Sequence, residues 1–366
     1  MAAEQSNKLG SHVEMKKVWE LLVIIVVTAI VWNLPTTCFG IDGLTVVQQR
    51  IIAIFVFATL SWLTECIPAW ATSLSIMSIM CVTVSKNSFW IFKGDGVGEL
   101  LDSEEIMASF ADPIIMLFLA GFILAIAASK SGLDTLLARN LIKPFGNKSE
   151  NVLLGFLLIT GLFSMFISNT ATAALMLTFL TPVFAALPAN GKGRIALTMS
   201  IPVAANLGGM GTPIGTPPNL IALKYLNDPA GLNMKIEFMH WMAFMAPLVI
   251  ILLLLSWRII LYFFPFTQKT IHLKIDGEVH RGWRMWVVII TFIVTILLWV
   301  IPKKVTGIDT NTVSMIPMAV FAITGVITAK DMQDINWSVI WMVAGGFAIG
   351  LGMNGSGLAD AAIESI

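Results

Sequence analysis

From residue 18 onward the chain is a succession of apolar runs cut by short polar breaks. Val18 and Trp19 lead into a run from Leu21 to Leu34. Ile51–Trp62 and Ala69–Val84 follow, separated by Glu65-Cys66-Ile67-Pro68. The stretch from Ser85 to Ser109 is polar and reads as a loop with a surface helix. Pro113–Ala128 stops at Ser129-Lys130-Ser131-Gly132, and a basic amphipathic segment with Arg139, Lys143 and Lys148 comes next. Val152–Ile167 halts at Ser168-Asn169-Thr170 and resumes as Ala171–Leu187. Ile195–Leu223 is apolar but broken at its centre by Gly and Pro. Phe238–Phe264, Trp283–Ile301, Val313–Thr328 and Val339–Leu351 complete the series. A membrane span needs about 20 mostly apolar residues. Several of these segments are too short or too interrupted to be simple spans, so the pattern predicts an all-α polytopic membrane protein with broken helices.

Composition narrows the class. The 366 residues are 57% hydrophobic and 12% charged, against roughly 25% charged in a soluble domain. Twenty-two basic and 22 acidic residues cancel. Too few charges exist to cover a water-soluble enzyme, the hydrophobicity excludes disorder, and no basic excess meets nucleic acid. Cys38, Cys66 and Cys81 lack metal spacing and read as small hydrophobes without a disulfide framework. Trp32, Trp90, Trp257 and Trp299 end apolar runs, as interface anchors do. The N-terminus is polar through Lys17 and carries no removable signal pattern. Lys269, Lys274, Arg281 and Arg284, and the turn with Arg139, Lys143 and Lys148, favour the cytoplasm; Lys303 and Lys304 pull the other way.

Pro113–Thr135 and Ser338–Asp360 read as an internal repeat at a constant offset of 225, chance similarity between two apolar segments being the alternative. Ile115/Ile340, Gly121/Gly346, Phe122/Phe347, Ser131/Ser356, Gly132/Gly357 and Leu133/Leu358 are identical without gaps. Repeats of this kind in membrane proteins frame a central site between related halves. At the same offset the partner of Ser168-Asn169-Thr170 falls near 393–395, so the expectation is a second half that continues beyond Ile366.

Ser168-Asn169-Thr170 puts three polar residues inside an apolar stretch, where their backbone groups must face protein or water. As a helix break they place Ser168 or Asn169 at the N-cap of the next helix. Its free N–H groups and positive dipole end suit a carboxylate. Hydroxyl and amide oxygens also suit a hard cation such as sodium, and Ser164 shares a helical face with Ser168. The alternative is a plain N-cap at a buried turn. Gly208–Asn219 reads GGMGTPIGTPPN and cannot continue a helix. Unwound there, it would expose carbonyls beside Thr212, Thr216 and Asn219. A kinked helix or an extramembrane loop is the other reading.

These residues resemble the divalent anion/sodium symporters, which carry citrate, dicarboxylates or sulfate. Trp62-Leu63-Thr64-Glu65-Cys66-Ile67-Pro68 is similar to that family's W-x-T-E-x-I-P signature. Phe118–Leu124 is similar to the start of its first re-entrant hairpin, Ser168-Asn169-Thr170 to its substrate motif, and Gly215-Thr216-Pro217-Pro218-Asn219 to its companion loop. The resemblance runs from about residue 18 to the end. It implies substrate contacts from Ser168, Asn169, Thr170, Thr216 and Pro217. It implies sodium held by Ser164, Ser168, Asn169, Gly215, Thr216, Pro217 and Asn219. It further implies an inverted-repeat transporter, a homodimer in the plasma (inner) membrane, with a static scaffold and an elevator-like transport domain. The expected division is a polar N-terminal segment (1–17), scaffold helices of repeat 1 (18–110) and a transport-domain half with hairpin and broken helix (111–225). Linking and scaffold helices of repeat 2 (226–336) and the start of a second hairpin (337–366) would follow. The family's second Ser-Asn-Thr and second Thr-Pro loop do not occur within residues 1–366.

The function expected is sodium-coupled symport of a di- or tricarboxylate. A sodium-independent exchanger would replace sodium with a fixed cation, yet no Lys, Arg or His lies in Ser164–Thr170 or Asn206–Asn219. Proton coupling and another anion such as sulfate stay open as rivals. An intramembrane enzyme would need a partner for Glu65, an intramembrane carboxylate that otherwise caps or pairs at an interface. A channel is the remaining class. His240 reads as interfacial rather than catalytic. No HExxH, GxSxG or Walker loop supports hydrolysis or ATP-driven pumping.

Overall fold

The computed structural model describes residues 2–185, 187–188, 191–229, 232–271 and 282–365. Among them no strand forms, and only two isolated β-bridges occur. The first helices are α1 (Ala2–Asn33), α2 (Val46–Thr64), α3 (Ala69–Thr83), α4 (Ser103–Ala108), α5 (Pro113–Ser131) and α6 (Leu133–Ile142). Then come α7 (Ser149–Ser164), α8 (Asn169–Ala185), α9 (Lys192–Gly209), α10 (Pro217–Asn227) and α11 (Phe238–Phe263). The last are α12 (Trp283–Val300), α13 (Lys303–Thr306), α14 (Thr310–Val313), α15 (Met315–Ile323), α16 (Trp337–Gly355) and α17 (Leu358–Glu364). Five described segments are long and apolar enough to cross a membrane: α2, α4 to α5, α11, α12 and α16. The chain is an all-α polytopic membrane protein. Lys274 and Arg281, expected in a basic loop, lie outside the described residues.

The chain forms two compact units, Met1–Ile115 with Asn336–Ile366, and Met116–Ile335. In the first, α3 packs on α16 so closely that a Cβ on Gly345 would stand 2.5 Å from Ser73 Cβ. The Gln48 side chain closes a capping box with Thr45 and also donates to the Ser356 carbonyl at 2.8 Å. Arg50 is buried between the Trp32 and Phe92 rings and donates to the carbonyls of Thr83 and Phe92. The expected interruption at Glu65 is a helix end: Glu65 is exposed, with φ 51°, and its N–H bonds the Ser61 carbonyl. Pro68 then caps α3. A non-glycine residue in this left-handed region costs about 1 kcal/mol.

The second unit is built around α7, α8, α9 and α11, whose Phe156, Leu157, Leu180, Ala204 and Leu253 are buried together. In lipid, close approach of small residues replaces the hydrophobic drive for helix packing. Gly208 of α9 lies directly on the backbone of Gly161 in α7: a Cβ there would stand 2.2 Å from the Gly161 carbonyl oxygen. Arg194, at the start of α9, donates to the carbonyls of Phe184 and Leu187 and so closes the end of α8. Lys148 and Thr270 form an antiparallel bridge, and Ser149 Oγ donates to the Gln268 carbonyl. Lys148 and the start of the second basic loop at Lys269 therefore lie at the same end of this unit.

The repeat has a local structural echo. Gly132 between α5 and α6 has φ 71° and ψ 16°, and Gly357 between α16 and α17 has φ 71° and ψ 12°. Each is the left-handed turn that glycine adopts without a Cβ clash.

Three expectations change. Phe118–Leu124, expected to open the re-entrant hairpin, lies inside α5, an uninterrupted 19-residue helix. Its repeat counterpart α16, expected to open a second hairpin, is equally uninterrupted. A re-entrant segment needs a break, and the break at Ser168 instead joins α7 to α8. Trp299, expected as an interface anchor, is buried; it stacks on Phe238 and donates to the Thr310 carbonyl.

At the end of α5, Lys130 Nζ donates to Asp331 Oδ2 at 2.5 Å, and Thr328 donates to the same oxygen from N and Oγ1. These donors, Lys130 first, hold the Asp331 carboxyl down to about 2. A depressed carboxylate stabilises the fold above its unfolded value near 4, and that contribution is lost as pH falls from about 4 toward 2. Asp331→Asn should lower stability by about 1 kcal/mol at neutral pH, with the gap to wild type closing below pH ~3. Thermal unfolding in detergent at both pH values checks this; a gap independent of pH would contradict it.

Candidate functional site

All the predicted site residues fall in the second unit, Met116–Ile335. Helix α7 has 16 residues and α8 has 17, about 24 and 26 Å of rise. Neither reaches across a hydrocarbon core of about 30 Å. They meet at residues 165–168, where Ser168 caps α8: its Oγ accepts from Ala171 N at 3.3 Å and its carbonyl from Thr172 N at 2.9 Å. The turn is tied to the second break by Thr212, whose buried hydroxyl donates to the Met165 carbonyl.

The second break separates α9 from α10. Asn219 holds it closed, with Nδ2 donating to the carbonyls of Gly209 and Thr212, each at 2.8 Å. A Cβ on Gly215 would stand 2.4 Å from the Gly209 carbonyl oxygen, so the chain folds back onto the end of α9. Thr216 caps α10 in extended conformation, and its hydroxyl makes no capping bond. Pro217 and Pro218 occupy the first turn of α10, so two of the N–H groups that helix would offer an anion are absent. The N-terminus of α8 differs. Among the described residues no group takes the N–H of Asn169 or Thr170.

The two breaks meet at Ser164. This fully buried hydroxyl lies 2.8 Å from Asn169 Oδ1 and 2.7 Å from the Ala205 carbonyl oxygen. A hydroxyl has one proton, so it satisfies one of these acceptors at a time. Ser164 Oγ thus stands between two further oxygens, the Asn169 amide oxygen and the Ala205 carbonyl inside α9, a grouping of neutral oxygens that suits a hard cation. Asn169 Nδ2 reaches onward to Asn206 Oδ1 at 3.2 Å. Gly209 keeps room for this amide: a Cβ there would stand 2.6 Å from Asn169 Oδ1.

Ser164, Ser168 and Asn169 are therefore gathered at one tip, with Gly215 packed on the neighbouring end of α9. Thr170 stands exposed beside them and Thr216 and Pro217 are half-buried across the second break. Asn219, expected as a sodium ligand, uses its amide nitrogen to hold the loop. The Ala205 carbonyl and Asn206 were not anticipated. A backbone oxygen leaves no trace in sequence, whereas Asn206 was visible as an amide inside an apolar helix.

The sequence pattern of the citrate transporter family matches residues 59–366. A sodium-dependent dicarboxylate transporter of Staphylococcus saprophyticus is 31% identical, over 93% of this chain and 69% of its own length. One from Staphylococcus aureus is 32% identical, over 84% of this chain and 63% of its own. An inorganic phosphate transporter of Saccharomyces cerevisiae is 29% identical, over 94% of this chain and 36% of its own. The chain thus spans between about a third and two thirds of these relatives' lengths. Its ordered motifs, its helical membrane architecture and this match together make the chain a member of the citrate transporter family, a transporter rather than an enzyme.

Proposed function

We propose that the chain belongs to a sodium-coupled symporter of dicarboxylates or citrate-like anions in the plasma membrane. The observation that carries this reading is the convergence of Ser164 Oγ, Asn169 Oδ1 and the Ala205 carbonyl oxygen. Sodium held there would be coordinated by these neutral oxygens. Ser168, Asn169 and Thr170 at the α8 N-terminus then present N–H groups and a positive dipole end to one substrate carboxylate. Gly215, Thr216 and Pro217 bound the site from the second break. Sodium binds first and orders both breaks, and its charge offsets that of the anion. The loaded transport-domain half, residues 111–225, crosses as one body in an elevator-type cycle of a homodimer, with the basic loops at Lys148 and Lys269 on the cytoplasmic side. The names of the staphylococcal relatives, sodium-dependent dicarboxylate transporters, agree with this coupling and substrate class.

A second reading is a sodium-independent exchanger or a carrier of an inorganic oxyanion such as sulfate. The relative named an inorganic phosphate transporter supports an oxyanion. Uptake of labelled succinate and citrate into proteoliposomes separates the two. Symport predicts saturable uptake that falls by about tenfold or more when choline replaces sodium. Uptake indifferent to sodium would sink symport, and saturable uptake of labelled phosphate or sulfate with none of labelled succinate or citrate would favour the oxyanion.

A further inference from the structure

We infer that the second unit carries a binding site for an anionic phospholipid at the start of α11, a reading that needs only membrane insertion and is independent of the transported substrate. A cavity of about 340 Å3 opens there, lined by Met234, Lys235, His240, Trp241, Phe244 and Met245. This is within the size range of small-molecule pockets. Two polar groups face it. Lys235 is exposed and held in the left-handed region, with φ 54°. Its neighbours are pinned: Met234 N donates to the Leu226 carbonyl, and Ile236 exchanges two hydrogen bonds with the Asn227 amide. His240 Nδ1 accepts the Glu237 N–H at 3.1 Å, which leaves Nε2 as the protonated donor. The Glu237 carboxylate is engaged in the capping box at the helix end.

The depth is that of a headgroup. Helix α11 has 26 residues, about 39 Å, which exceeds a hydrocarbon core of about 30 Å. The excess length lets its first turns, at the end away from Lys269, stand at the interface, a depth that suits Trp241. An ammonium and an imidazole N–H match phosphate oxygens, and the Met, Trp and Phe wall matches glycerol and the upper acyl chain. Free phosphate shares only the first of these features. The site also touches the second break: Trp241 Nε1 donates to the Met210 carbonyl at 3.0 Å, directly after α9.

Native mass spectrometry of the purified protein with added dioleoyl phosphatidylglycerol or dioleoyl phosphatidylcholine tests this. Wild type should retain phosphatidylglycerol about fivefold over phosphatidylcholine. Lys235→Gln should abolish that preference and Lys235→Arg should restore it. Phe244→Ala should reduce retention of phosphatidylglycerol, and excess inorganic phosphate should fail to displace it. Equal retention of the two lipids by wild type, a preference that survives Lys235→Gln, or displacement by inorganic phosphate would each overturn the proposal.

Discussion

Replacing Asn169 by Ala will lower sodium-driven uptake by about 100-fold or more while the protein still folds. Asn169 is half-buried at the junction of α7, α8 and α9. Its Oδ1 is one of the three oxygens around Ser164, and its Nδ2 reaches Asn206. The substitution removes a proposed cation ligand and the amide that links the α7–α8 turn to α9. A hydrogen bond to a charged group contributes about 1.5–3 kcal/mol, and the change touches both cation and anion. The fold loses little, because Ser164 keeps the Ala205 carbonyl and Thr212 still joins the two breaks. Uptake in proteoliposomes, read beside size-exclusion and thermal unfolding, checks this. Wild-type uptake would remove Asn169 from the site.

Gly208→Ala should produce the opposite pattern, with stability lost before any site chemistry is reached. The new Cβ would lie 2.2 Å from the Gly161 carbonyl oxygen and 2.6 Å from its Cα. These are backbone atoms of a helix packed on its other side against Leu253, so no side chain can swing away. Overpacking of a tight core costs about 1–3 kcal/mol, and more where backbone must move. Because α7 and α9 carry the two breaks, their separation would also part Ser164 from Ala205. The expected result is a clear fall in unfolding temperature and loss of uptake together. Normal stability would mean that the α7–α9 crossing is looser than described.

Much of the architecture was legible because apolar runs and polar breaks are imposed by the bilayer. The ends at Glu65, at Ser168 and within Gly208–Asn219 all appear as expected interruptions. The start of the hairpin was not legible. Phe118–Leu124 and Val152–Ile167 are both apolar stretches, and composition does not separate a spanning helix from a re-entrant one. Only the 16-residue length of α7 does. Trp299 was misplaced for a related reason: the end of an apolar run marks a helix end, and the Phe238 ring that buries this one comes from α11. At the site, side-chain oxygens could be named from sequence. The Ala205 carbonyl and the loop-holding bonds of Asn219 depend on how α7, α9 and α10 meet, which no local pattern encodes.

The central claim is that Ser164, Asn169 and Ala205 form a sodium site. A ligand that binds only the folded state raises its stability in proportion to occupancy. Thermal unfolding at constant ionic strength, with sodium replacing choline, therefore reads the site directly. The account predicts an unfolding temperature that rises with sodium in wild type and stays flat in Ser164→Ala. An equal rise in both proteins would contradict it.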